Sequence, residues 1–202
     1  MEFVEIIAVI FGLLSVYLVT RQNVWCYPLG IVSVFIYIFV FYEVKLYADM
    51  GLQVFFIVLQ AYGWYVWLYG GKGHTVLNVS WASRTVYGLT TFFVIVATAL
   101  LGFVLHKLTD ASLPYVDSFL AVLSMAAQWM MARKYIENWI LWIVVNIGSI
   151  GMYGFKGLYF TMFLFAVYFG LAIFGYVEWK KSLTTEPGGN SIEVLPATAE
   201  PS

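Results

Sequence analysis

Charge is what this sequence has least of. Only 10% of its 202 residues are Asp, Glu, Lys or Arg, against about 25% in an average soluble domain. Basic residues are not in excess either. The 10 Lys+Arg face 11 Asp+Glu, so there is no basic face for a phosphate backbone, and nucleic-acid binding is excluded. A single cysteine, Cys26, excludes a disulfide framework and a Cys-x-x-Cys metal site. The two histidines, His74 and His106, are expected in loops, away from any second ligand. No metal and no cofactor is expected. What fills the chain instead is apolar: 62% hydrophobic and 20% aromatic. A soluble globular protein and a disordered chain are both excluded. The class that remains is an all-α polytopic membrane protein.

A spanning helix needs about 20 mainly apolar residues. Breaks in the apolar pattern predict seven, roughly at 3–20, 25–43, 47–69, 83–105, 115–132, 138–155 and 157–179. The connections are polar or Gly-rich, such as Arg21-Gln22-Asn23 and Gly70-Gly71-Lys72-Gly73-His74. The first stretch carries Glu5 rather than a basic n-region, and no A-x-A site follows, so it reads as a retained span. The transmembrane domain is expected over 1–181. From Ser182 to Ser202 the composition turns to Ser, Thr, Pro, Gly and Glu, which predicts a disordered cytoplasmic tail. With seven spans the termini lie on opposite sides. Arg21, Lys72, Arg84, Arg133, Lys134, Lys180 and Lys181 fall on the C-terminal side; Lys45, Lys107 and Lys156 fall on the other. That bias predicts an outside N-terminus and a cytoplasmic C-terminus.

Sliding the chain by 112 residues brings Arg21 onto Arg133, Leu46-Tyr47 onto Leu158-Tyr159, Gly63 onto Gly175 and Trp67 onto Trp179. The matches spread over three helices without a gap. They predict two three-helix repeats, about 3–69 and about 115–179, joined by a linker helix at about 83–105. An odd number of spans plus a linker returns the second repeat to the side where the first began. The repeats are therefore parallel, a 3+1+3 plan that places a substrate site near the midplane between them.

No Asp, Glu, Lys or Arg falls mid-span. Ion-coupled pumps usually carry such a group, so its absence favours facilitated diffusion. Neutral polar residues do recur at helical spacing. Asp49, Gln53, Gln60, Trp64 and Trp67 share one face of the third span; Trp139, Trp142, Asn146, Ser149 and Tyr153 share one face of the sixth. Indoles stack on a flat ring, and amides bond its edge. A cationic ring gains cation–π attraction as well, about 2 kcal/mol when desolvated. The same residues have plainer uses. Gln53, Gln60 and Asn146 serve equally as helix glue, and Gln128 poses the same choice. Trp25, Trp67 and Trp179, near span ends, are expected in the interfacial belt. Asp117 is expected as an N-cap. Ser15, Ser33 and Ser124 are expected to bond their own helices. Gly30, Gly63, Gly148 and Gly151 are expected at close helix contacts.

Several stretches resemble the PnuC family. Trp25-Cys26-Tyr27-Pro28-Leu29-Gly30 looks like its second helix. Leu46-Tyr47-Ala48-Asp49, Leu52-Gln53-Val54-Phe55-Phe56 and Tyr62-Gly63-Trp64-Tyr65 look like its third. Arg133-Lys134-Tyr135 and Glu137-Asn138-Trp139-Ile140-Leu141-Trp142, with Asn146, look like its sixth. Asp117-Ser118 and Lys156-Gly157-Leu158-Tyr159 also fit. The resemblance implies a bacterial inner-membrane carrier of a vitamin or its precursor, SWEET-like in fold and trimeric. It implies nicotinamide riboside as substrate, moved by facilitated diffusion and trapped by a cytosolic kinase. A thiamine carrier of the same architecture is the alternative. The family's W-x-x-W then Asn maps onto Trp139, Trp142 and Asn146; its Gln-bearing third helix maps onto Gln53 and Gln60. The implied partners are a small cationic vitamin or nucleoside and the bilayer. A membrane enzyme is not expected, because the inner faces offer amides and indoles but no paired acid/base groups.

Overall fold

The structure, a computed structural model, describes residues 2–43, 47–109 and 113–185. Among the described residues seven helices follow one another: α1 Glu2–Thr20, α2 Cys26–Glu43, α3 Tyr47–Tyr69, α4 Arg84–Leu108, α5 Pro114–Ala132, α6 Asn138–Phe155 and α7 Tyr159–Thr185. By length and composition α2, α3, α4, α6 and α7 can each cross a membrane. The apolar stretch of α1, Val4–Thr20, is slightly shorter. α5 packs against α3, α4 and α6 and buries Leu120, Val122, Leu123, Ala126, Ala127, Met130 and Met131. A helix shielded on that many sides needs less apolar surface than one facing lipid.

The expected boundaries need small corrections. α4 runs to Leu108, so His106 lies on a helix and not in a loop. α7 runs to Thr185, past the predicted start of the tail. Its last turns are held in place: Gln22 Nε2 donates to Ser182 Oγ at 3.0 Å, and Leu183 packs on the core. Positions 186–202 lie outside the described residues.

The two repeats match in their packing. α1 meets α2 and α7 as α5 meets α6 and α3, and α2 meets α3 as α6 meets α7. Individual atoms repeat the pattern. Trp67 Nε1 donates to the Met131 carbonyl at 3.1 Å, and Trp179 Nε1 to the Val19 carbonyl at 2.9 Å. Donors and acceptors are each 112 positions apart, and each bond crosses from one repeat to the other. Tyr27 stands edge-on to Trp67 at 5.1 Å and 87°; Trp139 stands edge-on to Trp179 at 5.4 Å and 88°. Trp67 and Trp179 are thus core residues, not belt residues. Their indole N–H groups add a second donor to carbonyls in the last turns of α5 and α1.

The helix ends repeat too. α1 closes with Gln22 N–H to Val19 O and Asn23 N–H to Leu18 O; α5 closes with Lys134 N–H to Met131 O and Tyr135 N–H to Met130 O. This is the Schellman pattern. Its left-handed residue is Gln22 at φ 55° and Lys134 at φ 51°, neither of them glycine. The matched strain at two helix ends points to side chains retained for their own contacts.

Several smaller expectations change. Asp117 is not the N-cap of α5. Leu113 caps that helix and Pro114 opens it, while Asp117 accepts from Lys156 Nζ at 3.3 Å. Ser124 bonds its own helix at Leu120 O. Ser15 and Ser33 instead cross between helices, to Cys26 O and Ala8 O, both at 2.7 Å. Gly30, Gly63 and Gly148 sit at close contacts, but Gly151 faces open space.

Candidate functional site

Between the repeats lies a cavity of about 250 Å³, just below the usual range for ligand pockets. Every helix except α4 contributes to its wall. α4 therefore joins the repeats without entering the site.

α1 and α2 form one side, zipped together by the Ser15 and Ser33 bonds. Absent side chains shape this wall. A Cβ on Gly30 would fall 2.1 Å from Gln60 Oε1, and one on Gly12 would fall 3.0 Å from the Tyr168 hydroxyl. Gln60 thus reaches across α2 only because residue 30 is glycine. α3 adds Gln53 and Gln60, α5 adds Gln128 and Met131, and α6 adds Trp139, Trp142 and Asn146. Among the described residues no Asp, Glu, Lys or Arg lines the cavity, and no group of three His, Cys, Asp or Glu could hold a metal. The wall offers amides, hydroxyls and indoles: groups that stack on a ring and bond its edge.

The floor lies where α1, α3, α5 and α7 end. Val19, Met131, Tyr27 and Trp139 line it, with Trp67 and Trp179 packed beneath. Lys134 is buried below that layer, 3% exposed. Its Nζ lies 4.5 Å from the centre of the Trp67 ring and 3.4 Å from Gln22 Oε1. Burial pushes this ammonium down to about 8. Gln22 and Lys134 are repeat mates, so the contact joins the two repeats across their own symmetry. Arg21 to Glu178 at 3.2 Å and Arg133 to the Tyr62 hydroxyl at 3.3 Å tie the same end.

Five of the nine predicted site residues meet in this cavity: Gln53, Gln60, Trp139, Trp142 and Asn146. Ser149 is buried but lies outside the wall. Tyr153 stacks on Phe165 at 5.3 Å. They are one and two turns beyond Asn146, past the cavity's end. Trp64 is 38% exposed; three residues before Trp67, it is rotated by about 60° from the buried face. The side chain of Asp49 lies outside the described residues. Tyr27, Tyr37 and Tyr168, which the sequence does not single out, also line the cavity, as does Gln128. Tyr27 had a signal: it is the repeat mate of Trp139. The Tyr27 hydroxyl and the indole nitrogens of Trp139 and Trp142 are buried with no hydrogen-bond partner. Such orphans call for an explanation, and all three of these residues line the cavity.

Comparison with known proteins fits this geometry. Residues 2–181 match the family described as Nicotinamide mononucleotide transporter. The chain is 30% identical to the nicotinamide riboside transporter PnuC of Escherichia coli (strain K12), over 90% of this chain and 87% of that one. It is 26% identical to the riboflavin/roseoflavin transporter RibM of Streptomyces davaonensis, over 87% and 83%. The crystal structure of the vitamin B3 transporter PnuC superposes with a TM-score of 0.72 at 26% identity, covering 91% of this chain and 83% of that one. An uncharged cavity between two matched repeats and a family match across nearly all seven helices agree: the chain belongs to the nicotinamide mononucleotide transporter family, a family of membrane transporters and not of enzymes.

Proposed function

We propose that the protein carries nicotinamide riboside across the bacterial inner membrane by facilitated diffusion. The observation that carries this reading is the cavity: small, lined by no charged side chain among the described residues, and walled by Trp142 beside Asn146, Gln53 and Gln60. A pyridinium ring is flat and cationic. Trp142 stacks on it and supplies cation–π attraction. Trp139, edge-on to Trp179, forms the floor that fixes ring depth. Asn146, Gln53 and Gln60 bond the carboxamide and the ribose hydroxyls. Among the described residues no counter-charge lines the cavity, which suits a carrier that must also release its ligand. The absence of an ionisable relay favours a passive cycle, with net uptake driven by phosphorylation of the riboside in the cytosol. The excess of basic residues in the loops at the floor's end supports a cytoplasmic position for it. The protein assembles as a homotrimer.

Calorimetry with nicotinamide riboside and thiamine, side by side, tests the substrate. Saturable binding of the riboside alone is expected. Thiamine binding alone would keep the cavity and the passive cycle and replace the substrate, since thiamine also presents a cationic ring.

A further inference from the structure

The loop before α4 grips the start of α6. Ser80 pairs with Tyr135 as a short parallel bridge. Ser80 N–H donates to Lys134 O, and Ile136 N–H donates to Ser80 O, each at 3.1 Å. The Ala82 N–H reaches the Glu137 carboxylate, 3.0 and 3.2 Å from its two oxygens. The Tyr87 hydroxyl, in the first turn of α4, donates to the same carboxylate.

Glu137 is buried, and among the described residues it forms no ion pair. A buried carboxylate must be satisfied by donors held in place. Capping its own helix is the ordinary use for an acid at this position. Glu137 is the N-cap of α6, yet its side chain makes no capping bond. The carboxylate is committed instead to Ala82 and Tyr87. The matching position in the first repeat, 112 residues earlier, is Trp25, which is 65% exposed.

We infer that Glu137 is a positioning residue: through Ala82 and Tyr87 it pins the first turn of α6 and so holds Trp142 and Asn146 at the cavity wall. Trp142 and Asn146 follow it by five and nine residues on one helix, so a shift of the first turn is carried to both. This inference rests on the cavity being the substrate site. It also makes the second repeat and α4 one body.

The test uses full-length protein in detergent with the variants Glu137→Ala, Glu137→Gln, Tyr87→Phe and, as control, Trp25→Ala. Two readouts are taken: hydrogen exchange over residues 138–146, and riboside binding by calorimetry. Glu137→Ala is expected to speed exchange there and to weaken binding about tenfold, the effect of one misplaced hydrogen bond to the ligand. Glu137→Gln restores both, because its amide oxygen still accepts from Ala82. Trp25→Ala changes neither. If Glu137→Ala does not fold, Tyr87→Phe, which deletes one hydroxyl, carries the same comparison. Unchanged exchange over 138–146 overturns the inference, and so does faster exchange with unchanged affinity. Faster exchange in a protein whose wild type binds no riboside would sink the substrate reading and support the strap.

Discussion

Gly175 on α7 lies against the face of Trp139, and the contact leaves no room for a methyl group. A Cβ at this position falls 2.4, 2.5 and 2.6 Å from Cζ2, Cη2 and Cε2 of the indole. Two carbons are at ease at about 3.5–4.0 Å, so the ring would have to retreat by about 1 Å. It has little freedom to do so. Trp139 is fully buried, and its other side stands edge-on to Trp179 at 5.4 Å. Overpacking of this kind costs about 1–3 kcal/mol. Gly175→Ala is therefore expected to destabilise the protein by about 2 kcal/mol and to push Trp139 towards the cavity, weakening ligand binding. Trp139→Phe removes the crowded second ring. Joined with Gly175→Ala, it should recover about 1 kcal/mol or more of the loss beyond additivity. Thermal unfolding of the four forms in one detergent, together with their binding constants, checks this. A Gly175→Ala protein with wild-type melting and affinity, or a strictly additive cycle, would refute the reasoning. The first repeat offers the same experiment. A Cβ on Gly63 falls 2.5 Å from the Tyr27 hydroxyl and 2.7 Å from its ring carbons, so Tyr27→Phe should rescue Gly63→Ala only in part.

Further outcomes follow from the same geometry. Asn146→Ala is expected to abolish uptake while melting stays within about 1 kcal/mol of wild type; normal uptake would remove Asn146 from the site. Trp67→Phe and Trp179→Phe each delete an indole bond to a carbonyl across the repeat boundary and should each destabilise by about 1–3 kcal/mol, seen as similar drops in melting temperature. Lys134 holds its proton less firmly folded, at about 8, than unfolded, where lysine keeps 10.5. Above pH 8 the unfolded chain then binds more protons, so stability rises with pH, by up to about 1.4 kcal/mol per unit. The wild type should gain stability between pH 8 and 10.5 relative to Lys134→Met; parallel melting curves for the two would contradict this.

The spans and the 3+1+3 plan were legible because both are written in composition and spacing. Lipid demands long apolar runs, and a repeat leaves identities at a constant offset. Trp67 and Trp179 show where that reading fails. A tryptophan near a span end looks the same to sequence whether it faces headgroups or another repeat, and these two face carbonyls of the opposite repeat. The offset that pairs them held the clue, since belt residues need no repeat mate. The amides of the cavity wall were legible for a similar reason: Gln53, Gln60 and Asn146 are costly in hydrocarbon and so stand out. Trp64 stands off the cavity wall because a helical face has blurred edges, and a rotation of about 60° decides which side of the edge a residue takes. Tyr27 was passed over because tyrosines are common here, 15 in all, and nothing local marks one as lining a cavity. The role of Glu137 was invisible, because it depends on a loop from another part of the chain.

The central claim is that the cavity between the repeats carries a riboside passively. Counterflow tests it most directly: proteoliposomes loaded with unlabelled nicotinamide riboside, without an ion gradient or nucleotide, are given labelled riboside outside. The account predicts a transient accumulation of label that survives ionophores and is lost in Asn146→Ala. Accumulation only under an imposed ion gradient, or none from protein shown to bind the riboside, would contradict it.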